Sequence, residues 1–270
     1  MKHRRVNNIE FVEEIGSGGT ATVLKGVDLN TGRLVAVKVL WTNLFRSETM
    51  RKQFIFEANQ YLYLTHPSIV RLHDFIIKED AHYLVMEYVD GQNLEEYINK
   101  VSGPIPEERA VVYMLEILDA IGFAHSRNVY HLDIKPANLM IDQAGKIRVL
   151  DFGISKETNQ LTNGKVAGSP LYMSPEQTKG ESIDQRSDIY SLGVTLFQML
   201  TGTTPFRGNV SRDELFQMIR SGKLARAKEF YPFVSDQLQS VIDRATMADR
   251  NHRFQNTDEF AYALQTAHRS

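Results

Sequence analysis

His131-Leu132-Asp133-Ile134-Lys135-Pro136-Ala137-Asn138, with Asp151-Phe152-Gly153 a short hairpin later, is the stretch on which the reading turns. Its polar residues are interleaved with apolar ones, between a long helical segment and two short predicted strands around Gln143-Ala144-Gly145. One reading is a surface loop with a turn-forming Asn, and Asp-Phe-Gly as a simple turn. The other is a catalytic loop. In it Asp133 accepts or orients a hydroxyl proton and Lys135 neutralises phosphoryl charge. Asn138 and Asp151 then supply the amide and carboxylate oxygens that hard divalent cations choose.

Upstream, Gly16-Ser17-Gly18-Gly19-Thr20-Ala21-Thr22-Val23 separates two predicted strands, residues 9–15 and 22–27. Glycines there permit a tight turn and let backbone N–H groups approach phosphate oxygens. A plain glycine-rich hairpin is the alternative. A dinucleotide site would need a helix after the glycines, and a strand follows. A Walker loop would need Gly-Lys-Ser/Thr, which is missing. Lys38 sits in a third apolar strand, residues 34–40, either as an edge residue or as a phosphate-directed ammonium. Spacing predicts a helix over 48–64, stopped before Pro67. Glu57 shares its inward face with Phe54 and Tyr61, and a carboxylate there calls for a partner. Lys38, across the intervening turn, is the candidate, leaving its ammonium free to reach a phosphate.

The rest of the chain bounds what surrounds these groups. Its 270 residues are 42% hydrophobic and 24% charged, with a net charge of −2, which suits a globular protein and excludes a disordered one. The basic footprint of a nucleic-acid binder is missing. With no Cys, disulfides, thiolate metal sites and cysteine nucleophiles are excluded. The most apolar run, 189–200, is interrupted by Ser191, Thr195 and Gln198 and is too short to span a membrane. Lys2-His3-Arg4-Arg5 is followed by no apolar stretch, so it reads as a solvated tail rather than a signal peptide. Strands are predicted over 70–77 and 82–89. After Asp90-Gly91 the pattern turns helical, over 106–125, 188–200, 213–220, 236–247 and 258–268. The expectation is an α+β chain forming one domain, 1–270. A small antiparallel β-rich lobe with one key helix (about 6–86) joins a larger helical lobe (about 92–268) through a hinge at about 87–91.

Taken in order, the glycine loop, strand Lys, helix Glu, His-x-Asp-x-Lys-x-x-Asn, Asp-Phe-Gly and Ser174-Pro175-Glu176 resemble the eukaryotic-type (Hanks-type) serine/threonine protein kinase family over nearly the whole chain. The style of the loop looks bacterial. The resemblance implies the bilobal kinase fold and transfer of the γ-phosphoryl group of ATP, with Mg2+ (Mn2+ as a substitute), to Ser or Thr hydroxyls of protein substrates. It makes Asp133, Lys135, Lys38 and Glu57 catalytic, and Asn138 and Asp151 metal ligands. It places Ile15, Gly16, Ser17, Gly18 and Gly19 over the nucleotide. Lys38 would hold the phosphates. Val23, Ala36 and Met140 would sandwich adenine, with Met86 as gatekeeper. The Glu87 carbonyl and Val89 amide would hydrogen-bond the base, and Asn93 would reach the ribose. Glu176 would pair with Arg253, Asp188 would cap the catalytic-loop backbone, and Leu72, Tyr61, Phe152 and His131 would form a stacked spine. Ser169 would bridge Asp133 and Lys135.

Two departures stand out. Ala21 replaces the third loop glycine. Leu132 stands where regulated kinases carry an Arg that pairs with a phosphorylated activation loop, so activity is expected not to depend on phosphorylation of Thr158 or Thr162. Ala137 gives no support for a preference for Arg-rich substrates. A pseudokinase scaffold and a small-molecule kinase of related fold are the alternatives. No partner nucleic acid and no membrane segment are expected. The location expected is cytoplasmic, alone or as the cytoplasmic part of a longer membrane protein.

Overall fold

Along Leu34–Trp41 (β4), Val35, Val37 and Val39 are buried, while Ala36 and Lys38 on the other face are half-buried. This is the two-residue period of a strand. The valines join Val6, Ile9, Leu24 and Val85 in one apolar cluster, whereas Ala36 packs against the main core. β4 thus directs Lys38 away from the outer cluster. The computed structural model describes residues 5–17, 21–41, 48–79, 81–152, 170–208 and 210–269.

β4 belongs to a six-stranded antiparallel sheet with Arg5–Val6 (β1), Ile9–Ser17 (β2), Ala21–Asp28 (β3), Leu72–Ile77 (β5) and Ala81–Glu87 (β6), in the order β1-β2-β3-β4-β6-β5. Arg5 joins the sheet through its backbone while its side chain stays exposed, as expected of the basic tail, and Val6 buries; residues 2–4 lie outside the described residues. The predicted helix forms as Glu48–Leu62 (α1). It leans on the sheet through Phe54, whose ring meets Phe75 edge-on at 5.5 Å.

Past β6, Gly91–Asn93 (β7) pairs with Leu139–Asp142 (β8), which pairs with Ile147–Val149 (β9). A Cβ on Gly91 would stand 2.1 Å from the Ile141 carbonyl oxygen, so only glycine lets these strands approach. Leu94–Tyr97 (α2) and a wider turn at Ile98–Ser102 follow; neither was legible in the periodicity. The larger lobe is built on Glu107–His125 (α3), Pro175–Lys179 (α4), Gln185–Thr201 (α5), Arg212–Ser221 (α6), Asp236–Ala245 (α7) and Thr257–Arg269 (α8). Every residue of α5 from Ser187 to Thr201 is buried, as its all-round apolar character implies. Asp184 caps its start, and Gly202 (φ 77°) ends it. Gly193 lets α5 meet α7, since a Cβ there would lie 2.8 Å from the Ala245 Cβ. Among the described residues no helix is long and apolar enough to cross a membrane.

One buried ion pair ties α4 to the far end of the lobe. Arg253 donates from Nη1 and Nη2 to Glu176 Oε1 and Oε2, both at 2.8 Å. It also donates to the carbonyls of Met247 (2.7 Å) and Arg186 (2.9 Å), and Ser187 Oγ donates to Glu176 (2.6 Å). Burial alone would raise the Glu176 pKa. The Arg253 hydrogen bonds and charge, with Ser187, outweigh it and hold the carboxyl at about 2, against 4.5 for an ordinary Glu. A lowered carboxyl pKa stabilises the fold above the unfolded value, and the contribution is lost as pH falls through the folded one. Wild-type stability should therefore decline between about pH 4.5 and pH 2 more steeply than that of Glu176→Gln, read as urea midpoints across that range. Arg253→Met leaves a buried charge without its partner and should cost about 3–5 kcal/mol near neutral pH.

Candidate active site

The loop 131–138, the candidate catalytic loop, hangs from α5. Asp188, fully buried in its first turn, accepts the backbone N–H groups of His131 (2.8 Å) and Leu132 (2.7 Å) and the Nε2–H of His125 (2.8 Å). Burial alone would raise the Asp188 carboxyl pKa; the His125 hydrogen bond and charge, then His131, hold it below the usual carboxylate range. The anchored backbone turns left-handed at Leu132, with φ 63°. A bulky residue there costs on the order of 1–2 kcal/mol and persists only where neighbours over-determine it. Gln177 Nε2 adds a bond to the Leu132 carbonyl at 3.1 Å.

Beyond that turn the candidate site residues converge. Lys135 Nζ lies 2.7 Å from Asp133 Oδ2. Asn138 Nδ2 donates to the Asp133 carbonyl (2.8 Å) and to Oδ2 (3.0 Å), which leaves its Oδ1 as the amide's acceptor. His131 Nε2 donates to the Leu150 carbonyl at 2.7 Å, tying the loop to the end of the hairpin next to Asp151. Asp151 is itself left-handed, with φ 59°.

Lys38 Nζ reaches Asp151 Oδ2 at 2.8 Å. Burial alone would raise the Asp151 pKa, and the Lys38 charge and hydrogen bond, with His131 and Lys135 behind them, hold it down. This corrects the expected Lys38–Glu57 pair: among the described residues no ion pair joins those two. The fold brings Asp151 to the Lys38 ammonium across the lobe boundary, and the ammonium's ion pair is made there. Glu57 remains on the inward face of α1, half-buried between Phe54, Ala58 and Tyr61. The stack behind the site forms as expected. Phe152 lies 4.9 Å from the His131 ring and 6.0 Å from the Tyr61 ring, and Leu72 is buried in the same core.

On the roof, Gly16 pairs with Val23 and Ser17 with Thr22, with Ile15 exposed beside them. Val23 lies opposite Lys38, and Ala36 opposite Met86, so these residues share one face. Met140, half-buried on β8, lies opposite Asn93 and Arg148. Val89 is buried in the main core. Asn93 is held as the N-cap of α2: its Oδ1 accepts Glu96 N–H at 2.8 Å, and its Nδ2 donates to Glu96 Oε2 at 3.1 Å. That commits the amide expected at a ribose to the chain. Gly18, Gly19, Gly153, Thr158, Thr162 and Ser169 lie outside the described residues. His125, Gln177 and Arg148 were not singled out from the sequence, because nothing linear connects them to Asp188, Leu132 or Glu87.

A small antiparallel sheet over a helical lobe, with charged groups gathered where they meet, places the chain among the two-lobed phosphotransferases. The family model described as the protein kinase domain matches residues 9–264, and the chain belongs to that family. It is 36% identical over 261 residues to the serine/threonine-protein kinase PrkC of Bacillus subtilis, covering 96% of this chain and 40% of that one. It is 35% identical over 268 residues to the serine/threonine-protein kinase PknB of Mycobacterium tuberculosis, covering 96% and 42%. The chain thus spans about two fifths of the length of these curated relatives. A crystal structure of the Mycobacterium tuberculosis PknI kinase domain matches with a TM-score of 0.79 at 25% identity, over 97% of this chain and 96% of that one. Family membership brings general use of ATP and a divalent metal.

Asp188→Asn tests the suspension of the loop. An amide cannot accept from all three donors, so one N–H would face another. Turnover should fall at least about tenfold, the equivalent of roughly 1.4 kcal/mol, with a lower melting temperature. Steady-state kinetics and calorimetry check both.

Proposed function

We propose that this chain is the catalytic domain of a serine/threonine protein kinase that moves the γ-phosphoryl group of ATP to a Ser or Thr hydroxyl of a protein. The observation that carries it is the cluster Lys38–Asp151 and Lys135–Asp133–Asn138, joined by bonds of 2.7 to 3.0 Å around one cleft. In this reading Asp133 orients the attacking hydroxyl and receives its proton. Lys135 neutralises charge that develops on the transferring group, and Lys38 steadies the α- and β-phosphates. Asn138 Oδ1 and the Asp151 carboxylate are hard oxygen donors of the kind that suits Mg2+, with Mn2+ a chemically similar substitute. Those two residues would hold the ion, which when bound supplies charge neutralisation between phosphates. The Glu87 carbonyl and Val89 N–H face the adenine edge, under Val23 and Ala36 and over Met140. Lys135 in this loop favours Ser and Thr over Tyr as acceptors. We place the chain in the cytoplasm, on its own or as part of a longer protein.

Leu132 carries the regulatory part of the reading. It is buried, and an aliphatic side chain makes no charge-assisted bond to phosphate. The dephosphorylated chain should therefore phosphorylate a generic basic protein without a lag.

The test pairs wild type with Asp133→Ala in Mg-ATP and a basic protein substrate, read by peptide mass spectrometry. Phosphoserine or phosphothreonine should form with wild type and fall by about 10²–10⁴ in rate with the variant, while nucleotide binding survives. Nucleotide binding with no protein phosphorylation by wild type would favour a pseudokinase. Phosphorylation of a small alcohol alone would favour a small-molecule kinase.

A further inference from the structure

Arg148 stands on β9, three residues before Asp151, and the mechanism above gives it no part. Its position is informative. In the β8–β9 register Arg148 lies directly opposite Met140, so the two side chains share a face of that small sheet. Met140 is the residue assigned beneath adenine, which makes Arg148 its neighbour on the same floor. The guanidinium Nη2 of Arg148 pairs with Glu87 Oε2 at 2.5 Å, and both side chains are partly buried. Arg148 Nε is buried and makes no hydrogen bond among the described residues, so the guanidinium is anchored through Glu87.

Glu87 is the first residue of the connection between the lobes, and its backbone is already pinned from the other side. Its N–H donates to the Arg71 carbonyl at 2.9 Å, and its Oε2 also lies 3.4 Å from the Arg71 N–H. β9 is pinned too. Val149 N–H donates to the Ser68 carbonyl (2.8 Å), and Val70 N–H donates to the Val149 carbonyl (2.9 Å). The Arg148–Glu87 pair therefore closes a ring of contacts behind the cleft. The ring runs from the lobe connection through β9 to Asp151.

We propose that Arg148 is a positioning residue for the nucleotide. Through the Glu87 carboxylate it fixes the backbone that meets the adenine edge relative to the floor at Met140 and to Asp151. The inference rests on the ATP-cleft reading above. A group held in place before the ligand arrives raises affinity by sparing ordering on binding. Loss of the clasp should then appear in nucleotide affinity and not in the chemical step.

The test compares the wild-type chain with Arg148→Met, Arg148→Lys, Glu87→Gln and the Arg148→Met/Glu87→Gln double variant. Mg-ADP dissociation constants come from isothermal calorimetry, KM for ATP and kcat from steady-state kinetics, and melting temperatures from scanning calorimetry. Arg148→Met should raise the Mg-ADP Kd and the ATP KM about tenfold, the scale of one lost charge-assisted hydrogen bond, with kcat within about twofold. Arg148→Lys should recover most of the affinity. The double variant should be no worse than Arg148→Met, as expected of two partners in one interaction. An unchanged Kd and KM in Arg148→Met overturns the inference, whether or not its melting temperature falls. A raised kcat overturns it as well, since the pair would then restrain the enzyme. Should Arg148→Met fail to fold, Glu87→Gln decides by the same criteria. A wild type that does not bind Mg-ADP overturns the nucleotide-cleft reading and this inference with it, whereas normal wild-type binding beside an unaltered variant overturns this inference alone.

Discussion

The architecture of the site depends on a carboxylate that never meets solvent. Asp188 lies in the first turn of a helix buried over nearly its whole length, and its two oxygens take three N–H donors, two of them from the loop 131–138. An ionised group in such surroundings is tolerable only when its bonds are all made. That requirement works in both directions. The loop must present the N–H groups of His131 and Leu132 to satisfy Asp188. In doing so Leu132 is forced left-handed, and the chain turns Asp133 and Asn138 back towards each other. The core thereby sets the geometry of a loop whose own regular structure is one 3-10 turn, Pro136–Asn138.

The second constraint joins the lobes. Lys38 arrives from the sheet and Asp151 from the end of the hairpin, and their bond crosses the cleft. The same end of the hairpin is held by His131 at Leu150 and by the backbone of residues 68–70 at Val149. Asp151 is thus positioned by three elements that are distant in sequence. Its left-handed backbone is the local cost of that arrangement, of order 1–3 kcal/mol. Such strain persists where the surroundings over-determine a residue, and it gathers at reactive sites.

Much of this is legible in the sequence alone. The apolar run 34–40 announced the strand that carries Lys38, the nearly all-round apolar run 188–200 announced a buried helix, and the order of polar motifs announced the kinase-like site. Glu176 and Arg253 met as the family resemblance implied. Other features could not be read, for identifiable reasons. Arg5–Val6 is too short to show a period, and only its pairing with β2 makes it a strand. Residues 91–102 hold a three-residue strand, one helical turn and a wide turn, each below the length at which periodicity speaks. The partner of Lys38 was misjudged because spacing pointed only to Glu57, whereas Asp151 lies 113 positions away and meets Lys38 only in the folded chain. A contact of that separation is set by where β4 and the β8–β9 hairpin settle, which no local pattern shows.

Leu132 shows how a local choice and a global constraint combine. The position must be left-handed because of Asp188, and an Asn or Gly would adopt that conformation more readily. Leu instead buries its side chain, recovering apolar contact that offsets part of the backbone cost. An Arg there would bring a charge whose burial calls for an anionic partner. With Leu, the stabilising contacts come from within the lobe itself, together with the Gln177 bond to the Leu132 carbonyl. The loop geometry seen here is accordingly a property of the folded domain.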